Sequence, residues 1–185
     1  EKLLGRVIVL HDITKEQALL RAERLRSQQL SLLERAGRYI AGSFDEVEIL
    51  QRAVDAITQQ FGYPETAISI LTPDNMMEIA VIFGTEEFEY RPGYKQEVGS
   101  GIIGHTASIK KTYVSPNVSQ DPHYYSTSTK SGSVICTPIF KQNELYGVLY
   151  VESFELHAFD ELDVITLETL SSQIAESLQR AKLHA

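Results

Sequence analysis

The alternation of hydrophobic and polar residues predicts a long helix near the start of the chain. From residue 15 to about 43, hydrophobic positions recur alternately four and three residues apart, and no proline interrupts them. This spacing is typical of a parallel two-stranded coiled coil, because it keeps one narrow apolar seam on one side of the helix. A solvated linker helix of a single chain fits the same pattern. The seam positions are Ala18, Ala22, Leu25, Gln29, Leu32, Ala36 and Tyr39.

The rest of the chain predicts an α+β domain. Consecutive strand patterns are joined by turn residues, which favours an antiparallel sheet with helices packed on one face. The closing helix carries an apolar stripe that includes Leu170 and Ile174. Residues 85–98 and 116–132 are predicted to be loops. In chain order, the predicted elements are a helix over 44–62, strands over 66–71 and 77–83, a short helix over 100–110, a strand over 112–115, a hairpin over 133–140 and 144–152, and a helix over 160–182.

The first residues do not fit into that domain. Residues 5–10 read Gly-Arg-Val-Ile-Val-Leu, which predicts a buried strand, and His-Asp-Ile-Thr follows at 11–14. One strand and one helix cannot form a domain alone. The chain also begins at Glu1 and stops inside a predicted helix, so we expect it to be a fragment of a longer protein.

Charge and composition exclude several classes of function. The net charge is −8; residues 1–43 carry 8 Lys and Arg against 5 Asp and Glu, whereas residues 44–185 carry 9 against 20. The larger part would repel nucleic acid, so we expect no nucleic-acid partner. The longest apolar run has about four or five residues where a membrane span needs about 20. We therefore expect no membrane contact in this segment.

Cysteine and histidine are too sparse for familiar metal or redox sites. The only cysteine, Cys136, excludes an internal disulfide and any multi-cysteine metal site. It lies within Val-Ile-Cys-Thr, which predicts a small core residue in a strand. The five histidines form no pair with metal-ligand spacing. We predict no metal, no cofactor and no catalytic residue in this segment.

Four segments over residues 44–175 resemble the GAF domain family in order and spacing. The resemblance implies the GAF fold, in which helices pack on an antiparallel sheet and a loop and a short helix cover a small-molecule pocket. The matching segments are Gly-Ser-Gly-Ile-Ile-Gly-His-Thr-Ala at 99–107, Pro-Asn-Val-Ser-Gln-Asp-Pro-His-Tyr at 116–124, the paired strands at 133–139 and 147–153, and Phe159, Asp163, Leu167, Leu170, Ile174 and Ala175 of the closing helix.

The same resemblance implies where a ligand would bind. A pocket of that family would lie near Ile103, His105, Asn117, Asp121, Tyr124 and Tyr125. Seven of the nine tyrosines lie between residues 90 and 150, and tyrosine combines an apolar ring with a hydroxyl, as small-molecule pockets require. Core packing and turn formation explain the same residues without a ligand. A small ligand of unknown identity is therefore an expectation.

The segment before the domain resembles a different family. Residues 5–14 resemble the last strand and the Asp-Ile-Thr signature of PAS domains, which lead into a signalling helix. The resemblance implies a C-terminal PAS fragment over 1–14, a connecting helix over 15–43, a GAF domain over 44–175 and the start of an exit helix over 176–185. This order is typical of bacterial sensor histidine kinases.

These resemblances predict a cytoplasmic sensory module rather than an enzyme. The module would form a homodimer through Ala18, Ala22, Leu25, Leu32, Ala36, Leu170 and Ile174 and relay a signal to an output kinase domain in the same chain. The phosphoacceptor and ATP-binding motifs of such a kinase are absent from these 185 residues. The alternatives are a free-standing enzyme that reduces methionine sulfoxide and a structural dimerisation spacer without a ligand.

Overall fold

The computed structural model describes residues 14–86, 88–125 and 130–184. The chain divides into two compact units, residues 1–31 and 32–185. Helix α1 (Thr14–Ile40) supplies all of the described part of the first unit and the beginning of the second. The structure has a helix where one was predicted over 15–43, although it ends three residues earlier, at Ile40. Its role as a connecting helix stays a prediction, and the predicted PAS fragment at 1–14 lies outside the described residues except for Thr14.

The strands among the described residues of the second unit form one six-stranded antiparallel sheet. The strands lie in the order β3-β2-β1-β6-β5-β4, so β1 and β6 are central and the short strands β3 and β4 are the edges. The elements after α1 are α2 (Glu46–Phe61), β1 (Glu65–Leu71), β2 (Met76–Phe83), β3 (Lys95–Glu97), α3 (Gly101–Ile109), β4 (Tyr113–Ser115), a 3-10 turn (Val118–Gln120), β5 (Ser133–Lys141), β6 (Glu144–Ser153) and α4 (Glu161–His184).

Local sequence signals set the ends of α2. The Asp45 carboxylate accepts a hydrogen bond from the Glu48 backbone N–H at 2.8 Å and so satisfies a free amide of the first turn. Gly62 ends the helix in the left-handed region, at φ 79°, and its N–H donates to Thr58 O at 2.9 Å. Both ends were predicted within two residues.

The sheet separates two hydrophobic cores. Successive side chains of a strand point to opposite faces, so Ile68 of β1 lies on one face and Ala67 on the other. On the first face, which we call the helical face, the sheet packs against α2, α4 and the end of α1. On the second, which we call the covered face, it packs against α3 and residues from the loops that follow β2 and β4.

Helix α4 is joined to the rest of the domain by polar contacts that include a buried pair of hydroxyl groups and a phenol–carboxylate hydrogen bond. The hydroxyl groups of Thr137 on β5 and Ser171 on α4 lie 2.6 Å apart and are buried. Near the start of the helix, the Tyr63 hydroxyl donates to Asp163 at 2.5 Å. Burial and this carboxylate raise the pKa of Tyr63, so the phenol stays protonated as a donor. The exit helix is therefore fixed to the sheet at specific positions as well as by apolar packing.

The predicted fold class is confirmed, with one strand missed. The three long helices share the helical face, and the six-stranded antiparallel sheet has the α+β architecture. Strand β3 lies within the loop predicted at 85–98, because its three residues are too few to show an alternating pattern. Among the described residues, no helix is both long enough and apolar enough to cross a bilayer.

Candidate functional site

Three aromatic side chains form the centre of the covered face. Phe88 and Tyr90, from the segment after β2, pack on Tyr150 of β6, with ring centroids 6.1 Å and 5.3 Å from it. The Phe88 ring is nearly parallel to Tyr150, and the Tyr90 ring meets it edge-on. All three are buried, so they make an enclosed apolar wall beside the central strands.

A pair of glutamates lies next to this wall. Glu65 of β1 and Glu152 of β6 are opposite each other across the two central strands, and each is 0% exposed. The Thr85 hydroxyl donates to Glu65 Oε1 at 2.6 Å, and the hydroxyls of Tyr150 and Ser131 donate to Glu152. Two buried carboxyl groups are thus held side by side by hydroxyl donors from β6 and from two loop segments.

The environment of the pair favours a proton on Glu65. Burial raises the pKa of Glu65 to about 7, the hydrogen bond from Thr85 opposes this increase, and the negative charge of Glu152 adds to it. The second Glu65 oxygen, Oε2, is buried and meets no hydrogen-bond donor among the described residues. A proton on that oxygen would relieve both the repulsion and the missing hydrogen bond.

Other polar atoms on the covered face also lack partners. Gln96 Nε2 on β3 and Thr106 Oγ1 on α3 are buried without a hydrogen bond among the described residues. Leaving a buried polar group unpaired costs about 1–3 kcal/mol. Such groups tend to mark places where water, an ion or a ligand completes the structure.

Cys136 belongs to the covered face as a core residue, as predicted. It is fully buried on β5. Burial raises the pKa of its thiol, and the nearby Thr106 hydroxyl only partly offsets that effect. A reactive cysteine needs an accessible thiolate, and this position provides no exposure and too little stabilisation of the charge.

The predicted residues His105 and Asp121 lie in a second cluster, at the edge of α3. The rings of His105 and His123 stack with centroids 3.8 Å apart, and Tyr113 meets His105 edge-on at 4.9 Å. The Tyr113 hydroxyl donates to Asp121 at 2.9 Å. Burial and the neighbouring His123 lower the pKa of His105, which favours the neutral imidazole. Among the described residues, no group of three or more His, Cys, Asp or Glu is arranged to hold a metal ion.

The remaining predicted pocket residues are dispersed. Ile103 and Tyr124 pack into the covered-face core. Asn117 caps the 3-10 turn by accepting from the Ser119 N–H at 3.1 Å. Tyr125 is 59% exposed. The structure therefore brings Ile103 and Tyr124 to the covered face and His105 and Asp121 to the neighbouring cluster, and gives Asn117 a turn role.

Sequence reasoning missed the glutamate pair and Phe88. A usable signal existed for Glu152, because it lies two residues after Tyr150 on a strand and therefore on the same face. Glu65 opens a strand whose first five residues are all buried, and it is the only charged residue among them. Acidic residues at or directly beside the ends of predicted strands are therefore the pattern that points to such a pair.

The predicted dimer residues separate into two groups. Ala36, Leu170 and Ile174 are each 0% exposed within the core of the chain itself. Ala18, Ala22 and Leu25 are exposed on α1 in the first unit, with Leu25 at 65%, and Leu32 is half-buried. The side chains of the first group are already buried within a single chain, and the dimer itself stays a prediction.

Comparisons with known proteins agree on one family. A model of the GAF domain matches residues 45–178. GAF domain-containing protein A of Dictyostelium discoideum is 26% identical over 136 residues, which cover 74% of this chain and 83% of that protein.

Two solved structures share the fold. Free methionine-R-sulfoxide reductase from Neisseria meningitidis, solved with its substrate, has a TM-score of 0.78 and 21% identity over 85% of this chain and 92% of its own. The GAF domain of an Acinetobacter phosphoenolpyruvate-protein phosphotransferase has a TM-score of 0.74 and 18% identity over 84% of this chain and 96% of its own. At these identities the likeness is one of fold alone.

Proposed function

The chain belongs to the GAF domain family, and we propose that it acts as a sensory module of a bacterial signal-transduction protein. The covered face would bind a small ligand, and the terminal helices would transmit the signal. The observation that carries this proposal is the set of buried polar groups on the covered face. Glu65 Oε2, Gln96 Nε2 and Thr106 Oγ1 are enclosed but unpartnered among the described residues. A core with no further role would be expected to pair such groups or to replace them with apolar side chains.

The path from ligand to output runs through β5. Cys136 and Thr137 are adjacent on this strand, and the first faces the covered side while the second bonds Ser171 on α4. A ligand that shifts β5 would therefore change how the exit helix is held. Such a switch needs a ligand that binds one arrangement better than the other.

Ligand binding is tested on freshly purified protein. Native mass spectrometry reveals a molecule that co-purifies, and thermal shifts are measured with a panel of nucleotides, amino acids and anions. A compound at 100 times its dissociation constant adds about 2.7 kcal/mol of stability. We expect E152Q to abolish that shift and E144Q, an exposed change on the same strand, to leave it intact. A panel without any adduct or shift would instead support the ligand-free spacer.

The relay requires two chains, with α1 as part of the interface. We propose that Leu25, 65% exposed within one chain, is covered by the same helix of a second copy. Light scattering should then show a dimer for the wild type and for Q28K, a change at an exposed position off the seam, and a shift toward monomer for L25K. A wild-type monomer at high micromolar concentration would contradict the relay.

The wider context proposed for the module is a sensor histidine kinase with a preceding PAS domain. Its support is the Asp-Ile-Thr signature at residues 12–14, where α1 begins. In the full-length protein, L25K should change the rate of autophosphorylation from ATP while Q28K does not. A full-length protein that takes no phosphate from ATP would exclude the kinase context.

A second candidate function is reduction of methionine sulfoxide. It is favoured by the structural likeness to the Neisseria reductase, whose name states that activity. Thiol-based reduction leaves an oxidised cysteine that a second thiol must resolve, and this chain has one cysteine, buried and with a raised pKa. Incubation with free methionine sulfoxide and dithiothreitol tests this function. Turnover that is lost in C136S would establish the enzyme and displace the sensory proposal.

A further inference from the structure

The glutamate pair connects the two central strands to two loop segments. Glu65 and Glu152 face each other on β1 and β6. Thr85, which follows β2, donates to Glu65, and Ser131, which precedes β5, donates to Glu152. The first segment contains a turn in which Phe88 N donates to Thr85 O at 3.1 Å, and the second segment is bonded to the end of β6, where Gly132 N donates to Ser153 O at 2.9 Å.

Two negative charges cannot be accommodated easily in this position. Both carboxyl groups are 0% exposed, so water does not screen their repulsion. With one proton on Glu65 Oε2, the pair becomes a single negative charge, and the protonated oxygen has Glu152 as an acceptor. Without the proton, Glu65 Oε2 is a buried charged atom with no donor among the described residues.

We propose that the Glu65–Glu152 pair is a pH-dependent switch on the covered face. One proton shared by the two carboxyl groups holds the Thr85 and Ser131 segments against the central strands, and loss of that proton near neutral pH loosens these segments. The proposal goes beyond ligand sensing and holds whether or not a ligand binds. It makes the state of the covered face depend on the pH of the surrounding solution.

The titratable groups around the pair do not supply this response themselves. Tyr150 on β6 donates its proton to Glu152. Burial raises the pKa of Tyr90, from the segment after β2, and of Cys136 on β5, so both stay neutral near pH 7. Lys130, next to Ser131, is exposed. On α3, His105 has a lowered pKa, and its contribution to stability has the opposite sign because it is lost as the pH falls.

The direction of the effect follows from where the proton is held more tightly. The ordinary pKa of Glu65 is 4.5 and its folded pKa is about 7, so between these values the folded chain binds one proton more than the unfolded chain. The resulting stability is complete below about pH 4.5 and is lost as the pH rises through 7. The folding equilibrium constant should fall by on the order of 100-fold from this group alone.

The first experiment measures unfolding by urea between pH 5 and pH 8.5 on the whole chain. We expect the wild-type folding constant to fall toward high pH with a slope near one proton per chain. E65Q should remove that slope, since its amide can accept from Thr85 and donate to Glu152 as the protonated acid does, and at pH 8.5 E65Q should be more stable than the wild type. E144Q, which makes the same change at an exposed site of β6, should retain the wild-type slope.

Two further measurements keep the result independent of a folding defect. E152Q removes the charge that repels the Glu65 carboxylate. The loss of stability that the wild type shows as the pH rises through 7 should therefore occur at a lower pH in E152Q. Amide exchange at Phe88 and Gly132, corrected for the intrinsic rate, should quicken at least tenfold between pH 6 and pH 8.5 in the wild type and not in E65Q, while the Gly62 amide at the end of α2 serves as the control. If the difference in unfolding free energy between the wild type and E65Q did not vary with pH, the pH-dependent switch would be overturned. Unchanged amide exchange at Phe88 and Gly132 would overturn the loosening of the two segments.

Discussion

The buried hydroxyl pair between β5 and α4 offers a direct test of how the exit helix is held. Thr137 and Ser171 are 1% and 3% exposed, and their hydroxyl oxygens are 2.6 Å apart. T137V keeps the shape of the side chain and removes its hydroxyl, and S171A removes the partner. Each single change leaves the other hydroxyl buried without this hydrogen bond.

The magnitudes follow from the cost of an unpaired buried group. A single change should destabilise the domain by about 1–3 kcal/mol, since the desolvation of the remaining hydroxyl is no longer compensated. Removing both hydroxyls eliminates that unpaired group, so the double variant should lose less than the sum of the two single losses. The coupling between the two sites should be about 1 kcal/mol, as expected for contacting residues.

Urea unfolding of the wild type, both single variants and the double variant gives the four free energies of unfolding that a double-mutant cycle requires. S172A is the matched control, because Ser172 lies on the same helix, is exposed, and bonds only the preceding turn through Glu168 O; its change should stay within about 0.5 kcal/mol. Strictly additive losses in the cycle would refute the idea that this contact fastens α4 to the sheet.

Three other experiments test separate parts of the structure. G104A should destabilise the domain by about 1–3 kcal/mol in thermal or urea unfolding, since a Cβ there would lie 2.3 Å from Glu97 O. In the control G37A, the Cβ meets only the movable end of the Gln173 side chain, so neutral or slightly higher stability is expected. Equal losses of stability in G104A and G37A would contradict the packing of α3. Cys136 should be inert to a thiol reagent in the native state and react fully in urea, and fast native reaction would show that the covered face opens. D45A should cost about 1 kcal/mol through the lost cap of α2, measured by urea unfolding, and a loss no larger than that of an exposed substitution such as S172A would contradict the cap.

Much of the fold could be predicted because its elements carry strong local signals. The period of α1, the Gly62 stop after α2 and the two long strands of the 133–153 hairpin all follow from residues close together in sequence. Strand β3 escaped prediction because it is defined by its partner β2 rather than by its own three residues.

The candidate site was harder to predict than the fold, because its residues are brought together by register. Glu65 and Glu152 are far apart in sequence and become neighbours only when β1 pairs with β6. The location of Asn117 and Tyr125 near a pocket stays a prediction, because a turn residue and a pocket residue show the same pattern in a single sequence. Predicting such a pair needs the strand order as well as the strands.

The short edges of the sheet have a consequence for how copies of this domain associate. Strands β3 and β4 have three residues each, and β3 carries Lys95 and Glu97 on its exposed positions. A short, charged edge offers little backbone for a strand of another molecule to extend the sheet. Edge-to-edge pairing between copies is therefore disfavoured at both edges by the shortness of the strands, and at β3 also by charge.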